Sequence, residues 1–423
     1  MGKVNINDLK PGMVLAEDLL HSSGQLLLSK GLKLEFNHLR VLKIWGVVSV
    51  EIEGVSDGPR PPTLEEIDPV ILTEAEEVAR KRFSHANVDH PFLRELLQIC
   101  TLRRAQQMAL QKSSGSGQVT PGGGQAAPKA NTKSTPTSGT RKVDLASLLN
   151  EDAWALASLP HIFTEINRVV NDPHSSAIHV ANVISNDPNL STKLLKMVNS
   201  AFYGFPSKID TISRAVTILG NTQLSTLALG TSVLMVFGDI PANLVDMKSF
   251  WAHSIACGVA ARMIARHKKV ANTERLFVAG LLHDIGRIII YKHLPDQGRE
   301  ALLQAQRTDC LLRSAELEVL GFDHTQIGGV LIKKWKFPLI LEEALTHHHQ
   351  PTLSQHFLEA SIVHIADILI NALMIGTSGE RFVPPLIPEA WTELGLQADM
   401  ISRSVQLVEQ QVDEITRLFF EGV

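Results

Sequence analysis

From Met400 to Phe419, apolar residues recur at positions 400, 401, 405, 408, 412, 415, 418 and 419. That three-and-four spacing places them on one side of a helix facing a core. The same period, with almost no alternation of period two, runs back to Val143 and predicts an all-α region. Within it, Asn186-Asp187-Pro188 opens the helix that carries LSTKLLKMVNSAFYG, with Asp187 as N-cap and Pro188 in the first turn. The N-terminal pattern differs. VLAEDLL, QLLLSKG and VVSVEIE read as short strands punctuated by Gly24, Gly31 and Gly46, and LEFNHLRVLKIW over 34–45 reads as a helix before the last strand.

After Pro62 two amphipathic helices are expected, roughly 63–83 and 91–112, forming an interaction stalk or spacer. From Ser113 to Thr140 the chain reads SSGSGQVTPGGGQAAPKANTKSTPTSGT, a composition with too little apolar surface to order itself, so a disordered linker is expected there. The predicted organisation is therefore mainly α: a small β-rich module at 1–57, a helical segment at 58–112, the linker at 113–140 and an all-α domain at 141–423.

Composition sharpens this picture. The chain has 423 residues, 44% apolar and 20% charged, which is ordinary for a globular protein with a sizeable core. A formal charge of −4 with interspersed signs gives no basic footprint for nucleic acid. The clusters Arg266-His267-Lys268-Lys269 and Lys333-Lys334-Trp335-Lys336 read as solvated helix ends. Cys100, Cys257 and Cys310 are odd in number and far apart, which argues against a disulfide framework and for a reducing compartment. MGKVNINDLKPGM lacks the apolar stretch of a signal peptide, and Ile6 does not fit a myristoylation pattern. Between Arg214 and Asp239 there is no charged residue, but Gly220-Asn221 breaks the stretch, and Thr222, Gln223, Ser225, Thr226, Thr231 and Ser232 make it too polar for a membrane span. A buried helix pair is expected instead, in a cytoplasmic protein that binds neither nucleic acid nor membrane.

The candidate chemistry lies where polar residues interrupt apolar helices. Ten of the 17 histidines fall between His253 and His364, including the run His347-His348-His349. LFVAGLLHDIGRIIIY places His283-Asp284 among Leu281, Leu282, Ile285 and Ile288, where an unpaired imidazole and carboxylate would cost several kcal/mol. His253 lies on the helix FWAHSIACGVAARMIA, and Asp367 has the apolar neighbours Ile365, Ala366, Ile368 and Leu369. His324 follows Asp323, which with Gln326 forms a capping-box variant at a helix start. A helical interior lined by His and Asp is where di-metal centres are built, with imidazole suited to Fe, Mn, Ni or Zn and carboxylates able to bridge. The competing reading is that histidines cap carbonyls and a buried Asp bonds to backbone.

Taken together, these residues resemble the ordered ligands of the HD superfamily of metal-dependent phosphohydrolases. DPNLSTKLLKMVNSAFYG, ISRAVTILG, FWAHSIACG, AGLLHDIGRIII and THHHQP make residues 143 to about 375 similar to an HDOD domain, the HD-related output domain of bacterial signalling proteins. LKPGMVLAEDL and GQLLLSKG resemble a small module found before HD-type domains. The resemblance implies a dinuclear divalent site, Fe or Mn first and Ni or Zn as alternatives. Asp284 would bridge, with His253, His283 and Asp367 toward one ion and His324, His348 and His349 toward the other. His347 is then the spare histidine, and His364 a packing residue.

This chain departs from the phosphodiesterases that cleave cyclic-di-GMP. Their GYP segment after the paired histidines is absent, Arg287 stands where they tend to carry Lys, and Ser249 offers no further carboxylate. Two functions follow as expectations. One is a regulatory output domain that works with other signalling proteins or a phosphate-containing ligand. The other is a metal-dependent phosphohydrolase acting on a nucleotide or other phosphate ester, with Arg287 as a contact to substrate phosphate.

Overall fold

A computed structural model of the chain describes residues 2–6, 8–20, 26–44, 47, 49–54, 66–113, 161–170, 172, 174–205, 207–237 and 244–420. The expected linker, apart from Ser113, lies outside them.

Among the described residues the N-terminal module has four short strands, β1 (Gly2–Asn5), β2 (Leu19–Leu20), β3 (Leu26–Leu28) and β4 (Ser49–Ile52), and the helix α1 (Phe36–Ile44). β1 pairs antiparallel with β4, Gly2 opposite Ile52, and β2 pairs with β3. Alternation in β4 sends Val50 and Ile52 inward, where they meet Ile6, Leu9, Leu15, Leu34 and Leu42. β1 was not among the expected strands.

Two helices follow, α2 (Pro69–Arg82) and α3 (Pro91–Ser113). Asp68 caps α2 by accepting from the Val70 amide, and Pro69 occupies the first turn, where its missing donor costs nothing. These helices are not a free stalk or spacer. Phe83, Phe92, Leu93, Leu96 and Leu97 are buried in the same core as the C-terminal helices. Polar contacts cross as well: an Arg82 Nη2 donates to the Asn371 carbonyl at 2.8 Å, Cys100 Sγ to the Ala372 carbonyl at 3.1 Å, and Phe92 stacks on Trp391 at 4.5 Å.

From His161 onward the chain is helical: α4 (His161–Val170), α5 (Ala177–Ser185), α6 (Pro188–Val198), α7 (Ile212–Leu219), α8 (Asn221–Val236), α9 (Met247–His267), α10 (Thr273–Leu282), α11 (Ile285–His293), α12 (Pro295–Thr308), α13 (Leu312–Leu320), α14 (His324–Lys334), α15 (Leu339–His347), a 3-10 turn (Pro351–Leu353), α16 (Phe357–Leu373), α17 (Pro388–Leu394) and α18 (Ala398–Phe420). Asp187 caps α6 through the Leu190 amide at 2.9 Å with Pro188 first in the helix, as its sequence predicts. The uncharged stretch is the expected pair α7 and α8, split at Gly220 with φ +92°. Residues 224–234 of α8 are buried, and Thr226 and Ser232 donate their hydroxyls back to carbonyls of their own helix. Among the described residues no helix is long and apolar enough to cross a membrane.

The core centres on α9, which Asp246 caps through the amides of Lys248 and Ser249. α10, α16 and α18 pack around it. α18 contributes Ile401, Val405, Val408, Val412, Ile415 and Phe419, the face its periodicity predicts. Burying an aliphatic or aromatic side chain of this kind contributes about 1.5–3 kcal/mol.

Candidate metal centre

Four helix ends and two helix faces converge on one point. LFVAGLLHDIGRIIIY breaks at its polar pair: His283 ends α10 and Asp284 begins α11. Gly280 lets α10 press on α9, since a Cβ there would sit 2.6 Å from the Cys257 carbonyl oxygen. Gly286 does the same for α11 against α14, where a Cβ would sit 1.9 Å from the His324 carbonyl oxygen. Both halves of the capping box form, with Asp323 Oδ1 accepting from the Gln326 amide and Gln326 Oε1 from the Asp323 amide. That box fixes His324 at the start of α14, and His348 follows the end of α15.

All seven expected ligands meet here, and every one but the half-buried His349 is fully enclosed. Asp367 Oδ1 lies 3.4 Å from Nε2 of both His253 and His283. Asp284 reaches both sides, Oδ2 at 3.3 Å from His283 Nε2 and 3.7 Å from His253 Nε2, Oδ1 at 3.2 Å from His324 Nε2. His324 Nε2 is 3.1 Å from His349 Nε2, and the His348 and His349 rings are 4.1 Å apart.

The outer partners fix which nitrogen faces inward. His283 Nδ1 donates to the Gly280 carbonyl and His348 Nδ1 to the Leu345 carbonyl, each at 2.7 Å. His324 Nδ1 donates to Glu316 Oε2 at 2.5 Å. Nε2 is therefore the nitrogen that faces inward, and in the neutral imidazole it carries the lone pair, the arrangement found where histidines hold metals. Nε2 of His283 and of His348, and Asp284 Oδ1, are buried without a hydrogen-bond partner. Such orphans are costly unless something else satisfies them. His364 is different, since Nδ1 donates to the His348 carbonyl and Nε2 accepts from the Ile387 amide, both within the protein. It packs and orients, as expected. His347 points away, 3.9 Å from Glu343 Oε2.

Three donor groups result, each compact enough for one ion: His253, Cys257, His283 and Asp367; His324, His348 and His349; and His283, Asp284 and His348. The first and second form an inner and an outer lobe, and Asp284 stands between them. Burial raises carboxylate pKa values, but Arg287, His283 and His324 more than offset this and hold Asp284 well below the usual range. Burial opposes charge on His283 too, yet Asp284 and Asp367 raise it to about 10. His348 is driven down to about 3, first by burial and then by the charges of His283 and His324.

Arg287, expected at a substrate phosphate, is instead only 2% exposed and fully engaged. Its guanidinium donates to Asp284 Oδ2 and Glu316 Oε1, each at 3.0 Å, and to Ser378 Oγ at 2.5 Å. Sequence reasoning missed Glu316, which joins Arg287 to His324; a buried acid eight residues before a ligand carries little signal in LRSAELEVL. It also missed Asn371, which donates to Asp367 Oδ1 at 2.7 Å one turn further along α16, and Arg313, which holds Asp323 Oδ2 at 2.6 Å. Arg313 is the partly exposed cation beside the outer lobe.

Residues 156–351 match the family model for the HDOD domain. These residues form an HDOD domain. The match ends before Asp367, so the HDOD domain's inner lobe is completed by a helix beyond it. A stretch of 217 residues is 26% identical to an uncharacterised protein of Treponema pallidum (strain Nichols), spanning 50% of this chain and 40% of that protein. The fold is shared with an HDOD domain protein of unknown function from Geobacter sulfurreducens, at TM-score 0.52 and 22% identity over 60% of this chain and 92% of that one. It is shared also with a structure from Shewanella amazonensis SB2B whose name proposes a phosphohydrolase, at TM-score 0.50 and 21% identity over 66% and 100%.

Proposed function

We propose that this is a regulatory protein of bacterial signal transduction, acting in the cytoplasm, whose HDOD domain binds a pair of divalent ions, Fe or Mn first, with Ni or Zn as alternatives. The observation that supports metal binding is the set of buried, inward-facing donors left without partners: Nε2 of His283 and His348, and Asp284 Oδ1. His253, His283 and Asp367 would hold one ion, and His324, His348 and His349 the other, with Asp284 shared. Bound there, such ions lower the pKa of water and bind phosphoryl oxygens.

Regulation is favoured over catalysis because Arg287, the cation that could meet a substrate phosphate, is buried and spent on the internal carboxylates Asp284 and Glu316. The phosphohydrolase alternative has one observation of its own. His349 is half-buried, and the cation Arg313 lies beside it at the rim of the outer lobe. Elemental analysis of the purified protein, with turnover of a simple phosphodiester, tests both readings. Metal without turnover is the expected result, and metal with turnover selects the alternative. A protein that neither contains Fe, Mn, Ni or Zn nor takes them up would sink both.

A further inference from the structure

We propose that Cys257 is a thiolate donor to the inner lobe, joining His253, His283 and Asp367 there beside the shared Asp284, so that the inner ion has one protein donor more than the outer one. This rests on the metal-binding reading above and assigns different roles to its two halves.

Cys257 lies four residues after His253 on α9, so the two share one face of the helix. Its Sγ is 3.6 Å from His253 Nε2. Donors about 2.3 Å (sulfur) and about 2.0–2.1 Å (nitrogen, oxygen) from one ion, at near-tetrahedral angles to each other, lie about 3.6 Å apart for S and N and about 3.3 Å apart for N and O. The inner lobe shows 3.6 Å for the first edge and 3.4 Å for both imidazole-to-Asp367 edges. His283 Nε2, aimed into the same set, has no hydrogen-bond partner.

Packing alone is the competing account, since free cysteines are often buried as small apolar residues. Cys100 shows what that looks like here, its thiol donating to the Ala372 carbonyl. The thiol of Cys257 faces donors instead. On coordination it gives its proton to solvent, and the thiolate supplies the electron pair. Counting the shared Asp284, Cys257 brings the inner lobe to five protein donors against four in the outer lobe, so the outer ion is the one with more room left for water or ligand. A soft sulfur donor also favours Zn or Fe over Mn in the inner lobe.

The test uses the full chain, stripped of metal and titrated with Co(II). A thiolate-to-cobalt charge-transfer band in the near ultraviolet is expected in the wild type. It should vanish in Cys257→Ala, with visible cobalt absorption from the outer lobe remaining, and persist when Cys100 and Cys310 are both changed to Ala. Cys257→Ser, closer in size, should also lack the band. Retention of Zn against a chelator should fall at least about 10- to 100-fold, the loss produced even by removing outer partners of metal ligands. Cobalt uptake without the band, or a band unchanged in Cys257→Ala, would overturn the assignment and leave metal binding standing. No cobalt uptake by the wild type would remove the metal reading itself.

Discussion

Changing Gly286 to Ala should damage the site without touching a ligand. The added Cβ would lie 1.9 Å from the His324 carbonyl oxygen, against a floor of 3.0 Å that real contacts keep, a deficit of 1.1 Å. The obstacle is backbone, so no rotamer change relieves it, and α11 must move away from α14. Moving by that amount would stretch the 3.2 Å approach of Asp284 Oδ1 to His324 Nε2 beyond 4 Å. Overpacking of this kind costs about 1–3 kcal/mol. At about 2–4 °C per kcal/mol, the melting temperature should fall by about 2–12 °C. Gly328→Ala is the control on the facing helix. Its nearest neighbour would be at 3.4 Å, an ordinary contact, so removing a helix-interior glycine should stabilise by about 0.5–1 kcal/mol. Thermal unfolding and metal-to-protein ratios on the two variants provide the assay. Equal stability of both, with full metal content in Gly286→Ala, would refute the close-approach argument.

Further expectations concern ligands, packing and pH. Asp284→Ala should abolish binding of both ions, His348→Ala should empty mainly the outer lobe, and His347→Ala should leave metal content nearly intact; equal losses in all three would contradict the lobe assignment. Phe202 is 1% exposed, with Arg262 Cζ 4.1 Å above its ring and Phe277 5.3 Å away, so Phe202→Ala should cost roughly 3–5 kcal/mol, and unchanged thermal unfolding would argue against that packing role. In metal-free protein, the His283 pKa, raised to about 10 from 6.5, contributes stability that is complete below pH 6.5 and lost as pH rises through 10. Melting temperatures of stripped protein should therefore decline across that window, and a rise would show the sign to be wrong.

Much of the site was legible because its residues violate the pattern around them. His283-Asp284 stands out in an apolar helix, and Asp323 with Gln326 announces a helix start three residues apart. Residues whose partners are distant in sequence gave no such sign. Glu316 acquires its meaning from Arg287, 29 residues earlier, and from His324 across a turn. Cys257 reads as one more small residue of an apolar helix until Asp367, 110 positions later, is placed beside it. The amphipathic pattern of α2 and α3 was visible, but a stripe of apolar residues does not name the surface that covers it. β1 is four residues long, too short for alternation to register.

The contacts of α2 and α3 bear on how the chain is made. Arg82, Cys100 and Arg103 bond to partners 289, 272 and 306 residues further on. At about 5–20 residues per second, these helices leave the ribosome roughly 15–60 s before the surface they bind has been synthesised. Through that interval Phe92, Leu93 and Leu96, which end fully buried, have no lasting cover from the C-terminal helices. Closing so long a loop makes their docking a late event in folding. The end of the helix that presents Asp367 is thus secured late, by helices made well before it.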